Sequence, residues 1–157
     1  MRLESVESTD ALAAEFAAAV NTLKPKRLSV WLYGELGAGK TTLCRGFLHA
    51  MGHEGRVPSP TYTLIEPYQC GGYQVYHLDL YRLHDGAELE YLGVDELWND
   101  GALILVEWPN NASESLPPAD LFIHLALEEA GNARGAVFSG QTEVGDELAS
   151  ILRNTYK

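Results

Sequence analysis

One stretch constrains this chain more than any other: Gly34-Glu35-Leu36-Gly37-Ala38-Gly39-Lys40-Thr41, two glycines with four residues between them, followed by a lysine and a hydroxyl. A loop of this kind holds phosphate only when a strand leads into it and a helix leaves it, because the helix start supplies free amides and partial positive charge. Both neighbours are present. Leu28 to Tyr33 (LSVWLY) is short, apolar and bounded by a basic pair and by Gly34, the pattern of a buried strand. From Lys40 to about Met51, Leu43, Phe47 and Leu48 recur at helical spacing until Gly52 stops them.

The rest of the chain fits around that unit. Ser8, Thr9 and Asp10 offer caps to a helix that carries Leu12, Phe16, Val20 and Leu23 and ends before Pro25. Arg56 to Pro60 is a loop, since its two prolines remove amide donors and push the preceding residues towards extended geometry. Tyr62 to Tyr68 and Tyr73 to Leu80 read as antiparallel strands joined at Gly71-Gly72. Glu88 to Trp98 predicts one or two short helical turns with Leu89, Leu92 and Leu97 pointing inward. Ala102 to Val106 (ALILV) is a strand covered on both faces. Leu121 to Leu127 and Arg134 to Ser139 read as later strands, and Glu143 to Asn154 as a closing helix. Residues 1–157 are thus expected to form one α/β domain with a mixed sheet.

Charge narrows the partners. The formal net charge is −11, and between Lys26 and Lys157 the only lysine is Lys40. Binding a phosphate backbone takes a cluster of Lys and Arg, so no strong direct binding to nucleic acid is expected. No run approaches the length needed to cross a bilayer and the first residues lack the apolar stretch of a signal peptide, which predicts a soluble, cytoplasmic protein with no membrane role. Cys44, in a helix, and Cys70, in a turn, make neither a disulfide framework nor a zinc-ligand set.

The motif dictates its own chemistry. Gly34, Gly37 and Gly39 allow backbone angles barred to side chains, so that amides close around phosphates. Lys40 supplies a full charge to the β- and γ-phosphates, the Thr41 hydroxyl is placed to ligate Mg²⁺, and Thr42 either adds a hydrogen bond or is an ordinary helix-start hydroxyl. A magnesium-nucleotide site also needs a carboxylate at the end of a neighbouring strand. Glu107 follows the buried run Leu103 to Val106 and is the candidate metal-side group. Asp79 ends a more amphipathic strand and is the candidate for ordering water; either residue would serve to position the attacking water. Ser59, Pro60 and Thr61 form a stiff polar loop, a switch or a plain connection. His77, Trp108 and Arg82 each have a structural reading beside a functional one.

Taken in order, GELGAGKTTL (Gly34 to Leu43), VPSPTYTLIEPY (Val57 to Tyr68), YHLDLYRL (Tyr76 to Leu83) and LVEWP (Leu105 to Pro109) resemble the TsaE family, formerly called YjeE. The resemblance runs from about Thr9 to Arg134. It implies a P-loop NTPase-like three-layer domain with a mixed, mainly parallel central sheet and a β-hairpin insertion. It also implies a Mg²⁺-dependent ATPase that works with the TsaD–TsaB heterodimer in placing a threonylcarbamoyl group on adenosine 37 of tRNAs reading codons that begin with A; with no arginine finger evident, turnover is expected to be slow without a partner. By similarity, Lys40, Asp79 and Glu107 would be catalytic and Thr41 with Glu107 the magnesium ligands. Gly37, Ala38, Gly39, Lys40, Thr41 and Thr42 would hold ATP, with Thr9 and Arg134 near the nucleotide. Asn110, where the family often has an acid, and Pro117-Pro118 depart from the pattern away from the phosphate chemistry. Two other classes fit the bare residues: a small-molecule kinase, and a non-catalytic adaptor whose partner affinity depends on nucleotide.

Overall fold

A computed structural model describes residues 1–129 and 131–155. The chain runs β1 (Arg2–Leu3), α1 (Val6–Leu23), β2 (Leu28–Tyr33), α2 (Lys40–Ala50), β3 (Ile65–Cys70), β4 (Tyr73–Asp79), α3 (Ala87–Tyr91), α4 (Val94–Leu97), β5 (Ala102–Glu107), β6 (Leu121–Leu127), β7 (Arg134–Gly140) and α5 (Glu143–Thr155). Two 3-10 turns, Pro109–Asn111 and Ser113–Ser115, follow β5.

All seven strands join one sheet in the order β1-β7-β6-β2-β5-β4-β3. Its centre, β6-β2-β5-β4, is parallel, and antiparallel pairs finish both sides. β2 and β5 lie in the middle with both faces covered, which is why they read as unbroken apolar runs. α1, α2 and α5 cover one face, where Phe16 and Phe47 bring ring centroids to 4.6 Å between α1 and α2. The short helices α3 and α4 and the 3-10 turns cover the other, over Leu78, Leu80, Leu89, Val94, Ile104 and Val106. The expected layered α/β fold with a hairpin at β3–β4 is the fold observed.

Several boundaries differ from expectation. α1 begins at Val6 with Ser5 as its cap, the Ser5 hydroxyl accepting the Ser8 amide at 3.2 Å. Ser8, Thr9 and Asp10 are therefore inside the helix. β3 starts at Ile65 rather than Tyr62, because the preceding residues close a turn in which the Leu64 amide donates to Pro60 O at 2.8 Å. Cys70 ends that strand instead of lying in the turn. Leu89 is buried, but Leu92 is half exposed, since α3 stops at Tyr91 and the inward periodicity stops with it. β1 is too short to leave a periodic signature.

Strand register gathers the polar residues of interest. β2 ends next to β5 with Leu32 opposite Glu107, and β4 ends with Asp79 opposite Glu107. All three strands run in parallel, so the loop after β2 and both carboxylates emerge at one edge, where open α/β sheets bind ligands. Side chains alternate along each strand. Val75 and Leu103 face α1 and α2, and the same alternation places His77, Asp79 and Glu107 on that face.

Candidate functional site

At this edge a cavity of about 320 Å³ opens. Its floor is the start of α2. The helix is capped by Gly39 at φ 104°, a conformation open to glycine, and no side chain occupies the cap. The first helical hydrogen bond is that of the Leu43 amide to Gly39 O at 2.9 Å, so the amides of Lys40, Thr41 and Thr42 precede it and remain donors. They and the helix dipole make an anion site.

Lys40 is buried, its ammonium donating to Gly34 O and to Glu35 O, the latter at 3.0 Å. The same nitrogen lies 4.2 Å from the centroid of the Trp108 ring, which the left-handed backbone of Trp108 (φ 58°) turns over it. Burial lowers the Lys40 pKa, against the opposing pull of Glu107 and Asp79.

Two carboxylates face the lysine with different partners. Glu107 accepts from the Thr41 hydroxyl at 2.8 and 3.0 Å and sits 2.6 Å from His77 Nε2. His77 Nδ1 finds no partner among the described residues, so the ring's one side-chain contact of this kind is the one Nε2 makes with the carboxylate. Asp79 accepts from the Thr61 hydroxyl at 2.9 Å and from the Tyr81 amide at 3.0 Å. Burial raises the Asp79 pKa; the Tyr81 amide, the Thr61 hydroxyl and His77 oppose the shift, while Glu107 adds to it. Under this layer lies Cys44, whose ligand atom falls within 4.8 Å of those of His77 and Glu107 and whose thiol burial holds protonated. The Thr41–Glu107 pair joins hard oxygens at the end of the anion site, a donor set suited to a small divalent cation such as Mg²⁺.

The family model described as threonylcarbamoyl adenosine biosynthesis protein TsaE matches residues 3–136. The chain belongs to the TsaE family. It is 43% identical over 129 residues to the tRNA threonylcarbamoyladenosine biosynthesis protein TsaE of Haemophilus influenzae, covering 82% of this chain and 80% of that protein. The TsaE of Bacillus subtilis is 42% identical over 101 residues, 64% of this chain and 61% of its own. A crystal structure of Bacillus subtilis YdiB superposes with a TM-score of 0.80 at 29% identity, covering 100% of this chain and 95% of that one.

Within this TsaE-family fold, Thr9, Gly37, Gly39, Lys40, Thr41, Thr42, Asp79, Glu107 and Arg134 all line the cavity, as do Ser59 and Thr61. Thr9 reaches it from the second turn of α1, and Arg134 from the start of β7, its guanidinium donating to Gly37 O at 3.4 Å. Ala38 does not line it: its side chain packs in the core and its amide donates to Glu35 O at 3.1 Å. Arg82 stands apart, donating to the Tyr62 hydroxyl at 3.1 Å with its guanidinium 4.3 Å from that ring. His77 engages Glu107, not its sequence neighbour Asp79, because the register sets β4 beside β5. Sequence reasoning also missed Val6, Leu36 and Tyr81 at the cavity wall. Leu36 carried a signal, an apolar residue in the middle of a loop otherwise made for anions; it is exposed.

Proposed function

We propose that this chain is a Mg²⁺-dependent ATP hydrolase of the cytoplasm that supports threonylcarbamoyl modification of adenosine 37 in tRNAs reading codons that begin with A, acting with the TsaD–TsaB pair. The observation that carries the reading is the Lys40–Thr41–Glu107 arrangement at the mouth of free α2 amides, with Asp79 across from it. Membership of a family described by threonylcarbamoyl adenosine biosynthesis supports the pathway.

The amides of Lys40, Thr41 and Thr42 and the Lys40 ammonium hold the phosphate tail and stabilise charge on the transferring phosphoryl. Thr41 and Glu107 would hold Mg²⁺, which would supply positive charge to offset that of the phosphates. His77 fixes the Glu107 carboxylate from behind. Asp79, with a carboxyl pKa raised by burial, orients the attacking water and accepts from it more readily than an ordinary aspartate. Arg134 lies at the loop, held by Gly37 O, and the remaining basic groups are scattered. Intrinsic turnover is therefore slow, and the partner completes the site.

The decisive experiment is reconstituted tRNA modification with this protein, without it, and with Lys40→Ala, followed in parallel by labelled ATP. Modification and free phosphate should both require the wild-type protein. A phosphorylated metabolite would identify a kinase instead. Full modification by an Asp79→Ala protein that binds ATP normally would identify a nucleotide-dependent adaptor.

A further inference from the structure

We propose that the groove beside α3 is the docking surface for a protein partner presenting an apolar or aromatic side chain flanked by lysines or arginines. The proposal rests on the partner-regulated hydrolase reading and specifies where regulation enters. Tyr91, the last residue of α3, is 92% exposed, and Leu92 after it is 46% exposed. With Leu64, Ala87 and Glu88 they line an open groove of about 400 Å³. Grouped at one concavity, these exposed apolar side chains offer a seat for a single apolar anchor, which scattered residues do not.

Charge selects the occupant. Residues 85–96 contain Asp85, Glu88, Glu90, Asp95 and Glu96 and no lysine or arginine. All five acids are exposed, and among the described residues none takes part in an ion pair. Such a field repels nucleic acid and anionic headgroups and draws a basic protein surface.

The groove is also wired to the site. Leu64 holds φ 67°, a region that side chains rarely adopt. Its amide closes the turn onto Pro60 O, and its carbonyl accepts the Asp79 amide at 3.0 Å. Thr61, in the same turn, donates to the Asp79 carboxylate at 2.9 Å. A side chain seated against Leu64 bears on the turn that grips Asp79 by both backbone and side chain. Docking there resets the water-positioning carboxylate without touching the phosphate loop.

The test uses the full chain carrying Tyr91→Asp with Leu92→Asp, titrated with purified TsaD–TsaB by calorimetry, with nucleotide affinity and intrinsic hydrolysis measured alongside. The Kd for TsaD–TsaB should rise at least about 30-fold, the loss typical of a central anchor, and stimulation should disappear. Nucleotide Kd and intrinsic rate should stay within about twofold of wild type, a change too small to matter on the free-energy scale. A second variant, Glu88→Lys with Glu90→Lys, should weaken binding about tenfold and flatten its salt dependence, which keeps the test decisive if the aspartates disturb α3. If both variants bind TsaD–TsaB as tightly as wild type, the groove proposal is wrong while the hydrolase reading stands. If wild type itself fails to bind, both fall. A wild-type dimer dispersed by the substitutions with TsaD–TsaB binding intact would assign the groove to a second copy of this chain and overturn the proposal.

Discussion

His77 Nε2 lies 2.6 Å from Glu107 Oε2, and both side chains are sealed from solvent. A buried carboxylate keeps its orientation only as long as its donors do, and here the donors are one imidazole and the Thr41 hydroxyl. His77→Phe should cost about 1–3 kcal/mol of stability, the penalty of leaving a buried acceptor short of a partner. It should also raise the Mg²⁺ concentration needed for tight nucleotide binding while sparing metal-free binding, and His77→Gln should restore part of both. Denaturant melts and Mg²⁺ titrations by calorimetry check this; an unchanged metal dependence would reduce His77 to core filler.

Lys40 supplies a prediction in pH. Burial lowers its folded pKa beneath the ordinary 10.5. As pH rises through that lowered value the ammonium neutralises, so nucleotide affinity should fall earlier than an unperturbed lysine would dictate. Between the folded and unfolded values the unfolded chain holds more protons, so this group makes the empty protein more stable as pH rises. Affinity and ligand-free stability should therefore move in opposite directions across the same window. Lys40→Ala should abolish both trends and weaken nucleotide binding by about 10- to 100-fold, the worth of hydrogen bonds to a charged group. Paired calorimetry and thermal melts from neutral to alkaline pH provide the measurement.

Asp79 titrates with the reverse sense. Its folded pKa is raised above 3.8, chiefly by burial. Between 3.8 and the folded value the native protein holds more protons, so stability declines as pH rises through that window, and the penalty persists at neutral pH. Asp79→Asn should melt at a higher temperature than wild type at pH 7 while losing hydrolysis, a function-for-stability exchange common at active sites. A lower melting temperature would mean that the Thr61 and Tyr81 hydrogen bonds outweigh the buried charge.

Gly34 ties the loop to the sheet. A Cβ at this position, where φ is 154°, would lie 2.5 Å from the backbone oxygen of Leu125 in β6. Gly34→Ala should destabilise the protein by about 1–3 kcal/mol through overpacking against a strand that cannot retreat. At Gly37 nothing lies within 4 Å, so Gly37→Ala carries only the conformational penalty of φ 82°, about 1–2 kcal/mol. Chemical denaturation of both variants, with nucleotide binding as a second readout, tests the contrast.

Much of this protein was legible in one dimension because its signals are local. LSVWLY, ALILV and the Leu43, Phe47, Leu48 spacing each state a period and a burial, and the structure places β2, β5 and α2 where those patterns put them. The loop motif likewise announces its own geometry, since glycines, a lysine and a helix start act through backbone within a few residues. Capping and strand onset were harder: Ser5 competes with three other capping residues, and the turn at Leu64 is set by a backbone angle that a leucine gives no hint of.

What only the tertiary structure decided is pairing across distance. That His77 serves Glu107, that Trp108 covers Lys40, that Ala38 turns into the core and that Arg82 stays outside all depend on strand register and on which face each residue takes. Composition and motif determined what chemistry the chain can carry, because residue type sets charge and donor geometry. Which groups meet was left to sheet order, because a contact between residues thirty or more positions apart is fixed by packing the whole core and by no short segment of it.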